Sequence, residues 1–343
     1  MAPFRLMIWG AGFFTRKWLE VITTRDDVEV VGIASRTAER VEELRRDFKL
    51  SRARMYAGWE AAAEQSPGGA DGVLITLPQM LHPEATIRAL KRGLHVLVEK
   101  PLALDMASAR LVYEEARDHP DLTVMVDQNF RWRPHVQTLR RAIQDGSVGG
   151  LGHIMIECRQ QIRRKTVGAW REQMSEPFLQ DYAIHHFDMI RYLTGDEPTQ
   201  VLGRSFRPSW SWLEGKTAAA AIVTMRNGTA VDYGGTMVSL GLETPQEGLV
   251  IVIGDKGTLH LDGKSQVTLL GQGDPRVLPQ EPIPGGELGY SLAEFLGAIR
   301  EKRRPKTCVV EHIKSLALMM AAVESSRRGM AVEVAPLTAF LAP

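Results

Sequence analysis

Arg5-Leu6-Met7-Ile8-Trp9-Gly10-Ala11-Gly12-Phe13-Phe14-Thr15 opens the chain with an apolar run that ends on two glycines and passes directly into a segment of helical spacing. A strand that feeds a helix through glycine is the first half of a βαβ unit. The glycines permit a tight turn, and the N–H groups at the helix start form an anion site suited to a pyrophosphate. The third glycine of a full G-x-G-x-x-G pattern is replaced by Thr15, so helix and strand are not expected to approach as closely there. Context carries the reading: a strand before, a helix after, at the head of a βαβ series. The alternative is a glycine turn with a purely structural role.

Outward from that turn, short β-branched runs alternate with amphipathic segments up to about residue 127. The expected strands are Arg5–Trp9, Val28–Ala34, Ala53–Tyr56, Gly72–Leu77, His95–Val98 and Thr123–Val126, with helices such as Ala38–Phe48 and Pro83–Lys91 between them. This pattern predicts a doubly wound α/β Rossmann domain over 1–127. After a helix at Pro134–Gln144 the rhythm changes to alternating runs, Ala218–Met225, Thr229–Met237, Gly248–Ile253 and Thr258–Leu261, separated by turn signals. Two late helices, Ser291–Lys302 and Glu311–Arg327, and a strand at Ala331–Val334 complete an α+β domain with a large, mostly antiparallel sheet over 128–343. A length of 343 residues agrees with two cores.

Composition narrows the function classes. The hydrophobic fraction is 44% and the charged fraction 24%, and 42 Lys plus Arg nearly balance 41 Asp plus Glu. Scattered basic residues give no footprint for nucleic acid or an anionic bilayer. No stretch approaches the roughly 20 apolar residues of a membrane span. The two cysteines, Cys158 and Cys308, form no CxxC pair, which fits a reducing, cytoplasmic setting. A small molecule is the expected partner.

At the end of the second strand stands Ala34-Ser35-Arg36-Thr37. An NAD site places a carboxylate at this corner for the ribose 2′-hydroxyl. Here Ser35 and Thr37 can donate to a 2′-phosphate, and Arg36 with Arg40 can offset its charge. NADP(H) is therefore favoured, with NAD(H) as the other reading.

Chemistry is expected at two further places. His95-Val96-Leu97-Val98-Glu99-Lys100-Pro101 puts Glu99 and Lys100 at the carboxyl end of a strand, where open α/β sheets carry their ligands. Asp181-Tyr182-Ala183-Ile184-His185-His186-Phe187-Asp188 reads as helix, with Asp181, His185 and Asp188 on one face and His186 turned away. Plainer readings exist for each: a surface Lys100 paired with Glu99, Asp181 as a helix N-cap, the two histidines as zinc ligands. The last fails because adjacent histidines diverge and no further ligand set is present, so no metal is expected. Trp132, Trp210 and Trp212 are packing residues or sugar-stacking platforms.

Taken in order, Gly10-x-Gly12, Thr76-x-Pro78 with His82, Glu99-Lys100-Pro101, Arg131 with Pro134, Trp170-Arg171 and the Asp-x-x-x-His spacing of Asp181 and His185 resemble the glucose-fructose oxidoreductase/inositol dehydrogenase (Gfo/Idh/MocA) family over nearly the whole chain. The resemblance implies an NAD(P)-dependent dehydrogenase or reductase acting on CH–OH groups of a sugar, inositol-like polyol or related keto compound. It implies that Lys100 sits between nicotinamide and substrate, that the peptide before Pro101 can be cis, that Asp181 orients substrate hydroxyls and that His185 gives or takes the proton. The cofactor set expected on this basis is Gly10, Gly12, Phe13 and Phe14 at the turn, Ser35, Arg36, Thr37 and Arg40 at the ribose, Thr76, Leu77, Pro78 and His82 after the fourth strand, and Glu99, Lys100, Gln128, Trp170 and Arg171. Arg131 and Tyr290 join Lys100, Asp181 and His185 as expected substrate contacts. Ser175-Glu176-Pro177-Phe178 stands where the family commonly has a glycine-rich turn, and Ala183 where it has a small glycine, so the substrate wall is expected to be remodelled. A homo-oligomer, dimer or tetramer, is implied through the exposed face of the second sheet. The competing functions are a redox-assisted glycosidase holding NAD and a nucleotide-sensing protein without chemistry.

Overall fold

A computed structural model describes residues 2–65, 69–163, 169–271 and 273–342. Its first sheet is parallel and six-stranded: β1 (Phe4–Trp9), β2 (Val28–Ser35), β3 (Arg54–Ala57), β4 (Gly72–Ile75), β5 (His95–Glu99) and β6 (Val124–Asp127), in the order β3-β2-β1-β4-β5-β6. Leu6–Trp9 of β1 and all of β4 and β6 are buried residue after residue, the pattern of strands covered on both faces. The covering helices are α1 (Phe13–Ile22), α2 (Ala38–Asp47), α3 (Trp59–Gln65), α4 (His82–Lys91) and α5 (Met106–Asp118). Strand order reverses between β1 and β4, which opens a crevice at their carboxyl ends. All six expected strands form, with no end displaced by more than two residues.

The second sheet has nine strands and begins after α6 (Pro134–Gln144). It contains β7 (Leu151–Arg159), β8 (Pro198–Phe206), β9 (Ala218–Met225), β10 (Ala230–Thr236), β11 (Leu249–Gly254), β12 (Gly257–Leu261), β13 (Val267–Gly271), β14 (Arg276–Val277) and β15 (Val332–Glu333). Their order is β14-β13-β12-β11-β7-β10-β9-β8-β15, antiparallel except where β7 meets β10. Alternation is clear along β9, where Val223 and Met225 are buried and Ile222 and Thr224 face outward. α7 (Ile184–Thr194) is buried along nearly its whole length. α8 (Gly286–Arg300) and α9 (Val309–Arg328) close the chain.

The chain divides into two compact units, Met1–Gln128 with Pro284–Ile313, and Asn129–Ile283 with Lys314–Pro343. The expected division into 1–127 and 128–343 therefore differs from the structure, because α8 returns to the first core. Leu292 and Phe295 of α8 pack among Leu6, Trp18, Leu97 and Met125, and the Phe295 ring meets Phe4 edge-on at 5.9 Å. Burying two large apolar side chains in that core is worth about 3–6 kcal/mol, which holds the segment with the first unit.

Candidate active site

In the first unit the glycine turn is built by close approach. Gly10 has φ of +125°, and a Cβ there would lie 2.4 Å from Thr76 Oγ1 and 2.8 Å from the Thr76 carbonyl oxygen. Only glycine lets β1 cross the end of β4 at that spacing. Gly12 precedes α1, and a Cβ on it would meet nothing within 4 Å, so open space stands before the helix N-terminus. Phe13 and Phe14, exposed at 71% and 40%, lie in the first turn, whose N–H groups have no partner within the helix.

Thr15 does not hold this turn apart. Its buried hydroxyl accepts from the Gly12 N–H at 3.1 Å and lies 2.8 Å from Thr76 Oγ1, which in turn lies 3.3 Å from the Trp9 carbonyl. Each hydroxyl has one proton, so the direction is fixed: Thr15 donates to Thr76, and Thr76 donates to Trp9. The residue in the third glycine's place ties the turn, β1 and β4 together.

At the β2 end, Ser35 Oγ accepts from the Thr37 N–H at 3.1 Å. Arg36, Thr37 and Arg40 are exposed, and among the described residues no carboxylate pairs with either arginine. After β4, His82 is fully buried with one ring nitrogen 2.7 Å from the Pro101 carbonyl and the other 2.8 Å from the Leu77 carbonyl. Burial pushes its pKa below the usual imidazole value against the pull of those carbonyls. His82 thus acts as a strut from the 76–78 loop to the segment after Lys100. The Lys100–Pro101 peptide is cis.

Lys100 is buried, at 8% exposure, and follows directly on Glu99, the last residue of β5. Glu99 Oε1 accepts from Trp18 Nε1 at 2.7 Å. Its register partner on β6, Asp127, accepts from Ser291 Oγ at 2.5 Å through Oδ1, while among the described residues Oδ2 has no hydrogen-bond partner. Burial first, and then the Glu99 charge, push Asp127 well above the ordinary carboxylate range. Sequence reasoning passed over Asp127, although a carboxylate at a strand's carboxyl end was the available signal. The Leu102 N–H donates to His312 Nε2 at 3.0 Å, which leaves the imidazole proton on Nδ1; the Gln128 side-chain amide, 3.0 Å away, then accepts it through its oxygen, with the amide oriented accordingly. Tyr290 accepts from Lys306 Nζ at 2.9 Å.

This set fits a dinucleotide. Backbone donors and open space at the α1 N-terminus suit a pyrophosphate, and hydroxyls with unpaired guanidinium groups at the β2 end suit a ribose bearing a phosphate.

In the second unit, Asp181 and His185 do not share one regular helix as expected. Phe178–Ala183 form a wide π-turn, and α7 starts only at Ile184, with Ala183 as its N-cap. Asp181 is therefore not the cap. It is 4% exposed and accepts from Arg171 Nε at 2.5 Å through Oδ2. His185 is buried with its ring flat against Phe130, centroids 4.0 Å apart at 6°. No sequence signal marked Phe130. His186 is turned away as expected: Nδ1 accepts from the Tyr233 hydroxyl at 3.0 Å, Nε2 donates to the Gln246 carbonyl at 2.9 Å, and burial lowers its pKa to about 4.

Arg131 and Asp188 are committed to each other. Arg131 Nη2 donates to Asp188 Oδ1 at 2.7 Å, its Nε donates to Oδ2, and Ser315 Oγ adds a bond to Oδ1 at 2.8 Å. Both are nearly inaccessible, so this pair ties the Asn129–Trp132 turn to α7. Trp210 and Trp212 donate through Nε1 to the Val238 and Ile162 carbonyls, each at 2.9 Å, while Trp132 is a core residue. The side chain of Trp170 lies outside the described residues. The 175–178 segment is pinned to its neighbour: Glu176 accepts from Lys216 Nζ at 2.8 Å, and a Cβ on Gly215 would lie 2.1 Å from the Met174 carbonyl.

Two family descriptions match the chain in succession: an oxidoreductase family with an NAD-binding Rossmann fold over residues 4–128, and the GFO/IDH/MocA C-terminal domain over 136–260. The chain belongs to the Gfo/Idh/MocA oxidoreductase family. Among this family's members, a D-apiose dehydrogenase of Paraburkholderia graminis is 27% identical over 98% of this chain and 91% of that protein. An inositol 2-dehydrogenase of Rhizobium meliloti is 26% identical over 72% of this chain and 67% of that protein. An oxidoreductase from Agrobacterium radiobacter, solved in complex with NAD+, L-tartaric acid and magnesium, has the same fold, with a TM-score of 0.89 at 20% identity over 98% of this chain and 100% of that one. As a Gfo/Idh/MocA oxidoreductase, the chain has an NAD(P)-binding Rossmann domain and a second domain built on a separate, mostly antiparallel sheet.

Proposed function

We propose that this oxidoreductase moves a hydride between NADP(H), with NAD(H) accepted less well, and a carbinol or carbonyl carbon of a sugar, an inositol-like polyol or a related keto compound. The observation that carries the reading is that, within a chain of this family, the ammonium, carboxylate and imidazole that the chemistry needs are all retained as Lys100, Asp181 and His185. The names of the D-apiose and inositol dehydrogenases support the substrate class.

The nicotinamide, when bound, supplies or accepts the hydride. As a carbinol carbon is oxidised its hydroxyl loses a proton, and His185 accepts it; in the reductive direction His185 returns it. Lys100 stabilises the developing negative oxygen by a charge-assisted hydrogen bond. Asp181, held by Arg171, accepts from a substrate hydroxyl and fixes its orientation. The NADP preference rests on the β2 corner, where Ser35, Arg36, Thr37 and Arg40 offer donors and positive charge and no carboxylate repels a phosphate.

The protein is cytoplasmic in this reading. Among the described residues no helix is long and apolar enough to cross a membrane. A homo-oligomer, dimer or tetramer, forms through the outer face of the second sheet, where Leu202, Phe206 and Ile222 are about half exposed.

A panel of sugars, inositols and their keto forms, followed by nicotinamide absorbance, tests the assignment. Turnover with at least one polyol or ketone, faster with the phosphorylated cofactor, is expected. Tight NADP(H) binding with no turnover on any compound would overturn it, as would product formation without net nicotinamide change, the mark of a redox-neutral hydrolase.

A further inference from the structure

Phe130 lies in the short turn Asn129–Trp132, beside the Arg131 that binds Asp188. Two groups lie close over its faces, the His185 imidazole at 4.0 Å and 6° and the Arg133 guanidinium carbon at 3.8 Å from the centroid, while the His186 ring meets it edge-on at 5.9 Å. A phenyl face accommodates one planar group at that distance, so the two occupy opposite faces and the order is guanidinium, phenyl, imidazole.

The outer member of this stack is anchored. Arg133 pairs with buried Glu247 through Nη1, and its Nη2 donates to Gln246 Oε1 at 2.8 Å. Glu247 is also met by His135 Nε2 at 2.6 Å. The same 246–247 segment accepts the His186 bond through the Gln246 carbonyl. Both histidines of α7 are thus referenced to one segment, His186 by a direct hydrogen bond and His185 through two stacked groups.

We propose that Phe130 is a positioning residue for His185, and that Arg133 and Glu247 fix it from behind. The proposal rests on the reading of His185 as the proton-transferring group. An imidazole turns easily about its outer torsion, which has broad, shallow wells. Flat contact removes that freedom and holds the ring edge, where both nitrogens lie, in one direction. Phe130 does not touch the reacting atoms; it acts by keeping the imidazole in a single plane, so its loss lowers the fraction of productive encounters rather than the binding of substrate.

Phe130→Leu conserves apolarity and most of the volume while removing the flat face. The expected result is a fall in kcat of about 10- to 100-fold, with KM and the Kd for NADPH within about twofold, where RT sets a twofold change at only ~0.4 kcal/mol. Phe130→Tyr should recover most of the lost kcat. In proton spectra, the carbon-bound ring protons of His185 should move downfield in Phe130→Leu as ring-current shielding is lost. If Phe130→Leu fails to fold, Phe130→Met carries the same comparison. Wild-type kcat in the leucine or methionine variant, or a tyrosine variant no better than leucine, overturns the proposal. His185→Gln separates the two readings: full turnover in that variant removes the role of His185 itself, whereas its loss alongside an unaffected Phe130→Leu removes only the positioning.

Discussion

The β1–β5 strand ends of the first unit and the α7 region of the second carry the candidate chemistry in opposite ways. At the first, the groups offered to a ligand are free: helix-start N–H groups, the space before Gly12, and the exposed Arg36 and Arg40. At the second, the side chains are buried and already engaged: Asp181 with Arg171, His185 with Phe130, Asp188 with Arg131. The first region is a cradle whose shape comes from backbone geometry. The second is an assembly of side chains that hold one another in place, so damage there should spread into stability, whereas damage at the cradle should stay local.

The contrast breaks most visibly at Asp188. Replacing it by Asn leaves the Arg131 guanidinium buried without a countercharge, and urea unfolding should show a loss of about 3–5 kcal/mol. A loss below about 1 kcal/mol, the level of a surface pair, would mean the second region does not depend on these commitments. Thr15→Val interrupts the hydroxyl chain from Gly12 to Trp9 in the cradle, and the expected cost is only about 1 kcal/mol, with NADPH still bound. A loss matching that of Asp188→Asn would erase the distinction.

Asp127 sharpens it further, because it is the buried, side-chain-dependent element of the first unit. Its folded carboxyl holds the proton well above the usual carboxylate value of 3.8, through burial and the neighbouring Glu99. A raised pKa means that its stability contribution is complete below 3.8 and is lost as pH rises from there through the folded value. Glu99, Lys100 and Glu287 set the local field, and the Ser291 hydroxyl binds Oδ1. Asn carries no titration, so Asp127→Asn should raise Tm relative to wild type, modestly, and more at about pH 9 than at about pH 5. Parallel Tm curves for the two proteins would show that folding does not raise the proton affinity of Asp127.

The same difference explains what could be read from the sequence. Gly10, Gly12 and the strand-helix rhythm act locally, and the six strands of the first sheet, α6 and β9 follow the expected bounds closely. Thr15 looked like a flaw in the fingerprint because a one-residue pattern cannot show that Thr76 stands ready to share its hydroxyl. β7 was not anticipated: Gly152, His153 and Glu157 interrupt the apolar run, and only the burial of Ile154, Ile156 and Cys158 against the second core gives the strand its inner face. The π-turn at Phe178–Ala183 has helical periodicity in sequence, so Asp181 and His185 read as one face until the wider turn shifts them. Partners distant along the chain were the least legible. Nothing in the local sequence says that α8 returns to the first core, or that Phe130 lies on His185.

Lys100, in the proposed function, takes part in chemistry and is more than a structural lysine. Lys100→Ala, assayed for NADPH binding by fluorescence and for turnover on the best substrate found, addresses this role most directly. At saturating NADPH the expected result is kcat reduced at least about 100-fold, the scale for removing one charge-stabilising donor; wild-type turnover by a variant that still binds NADPH would rule out that role.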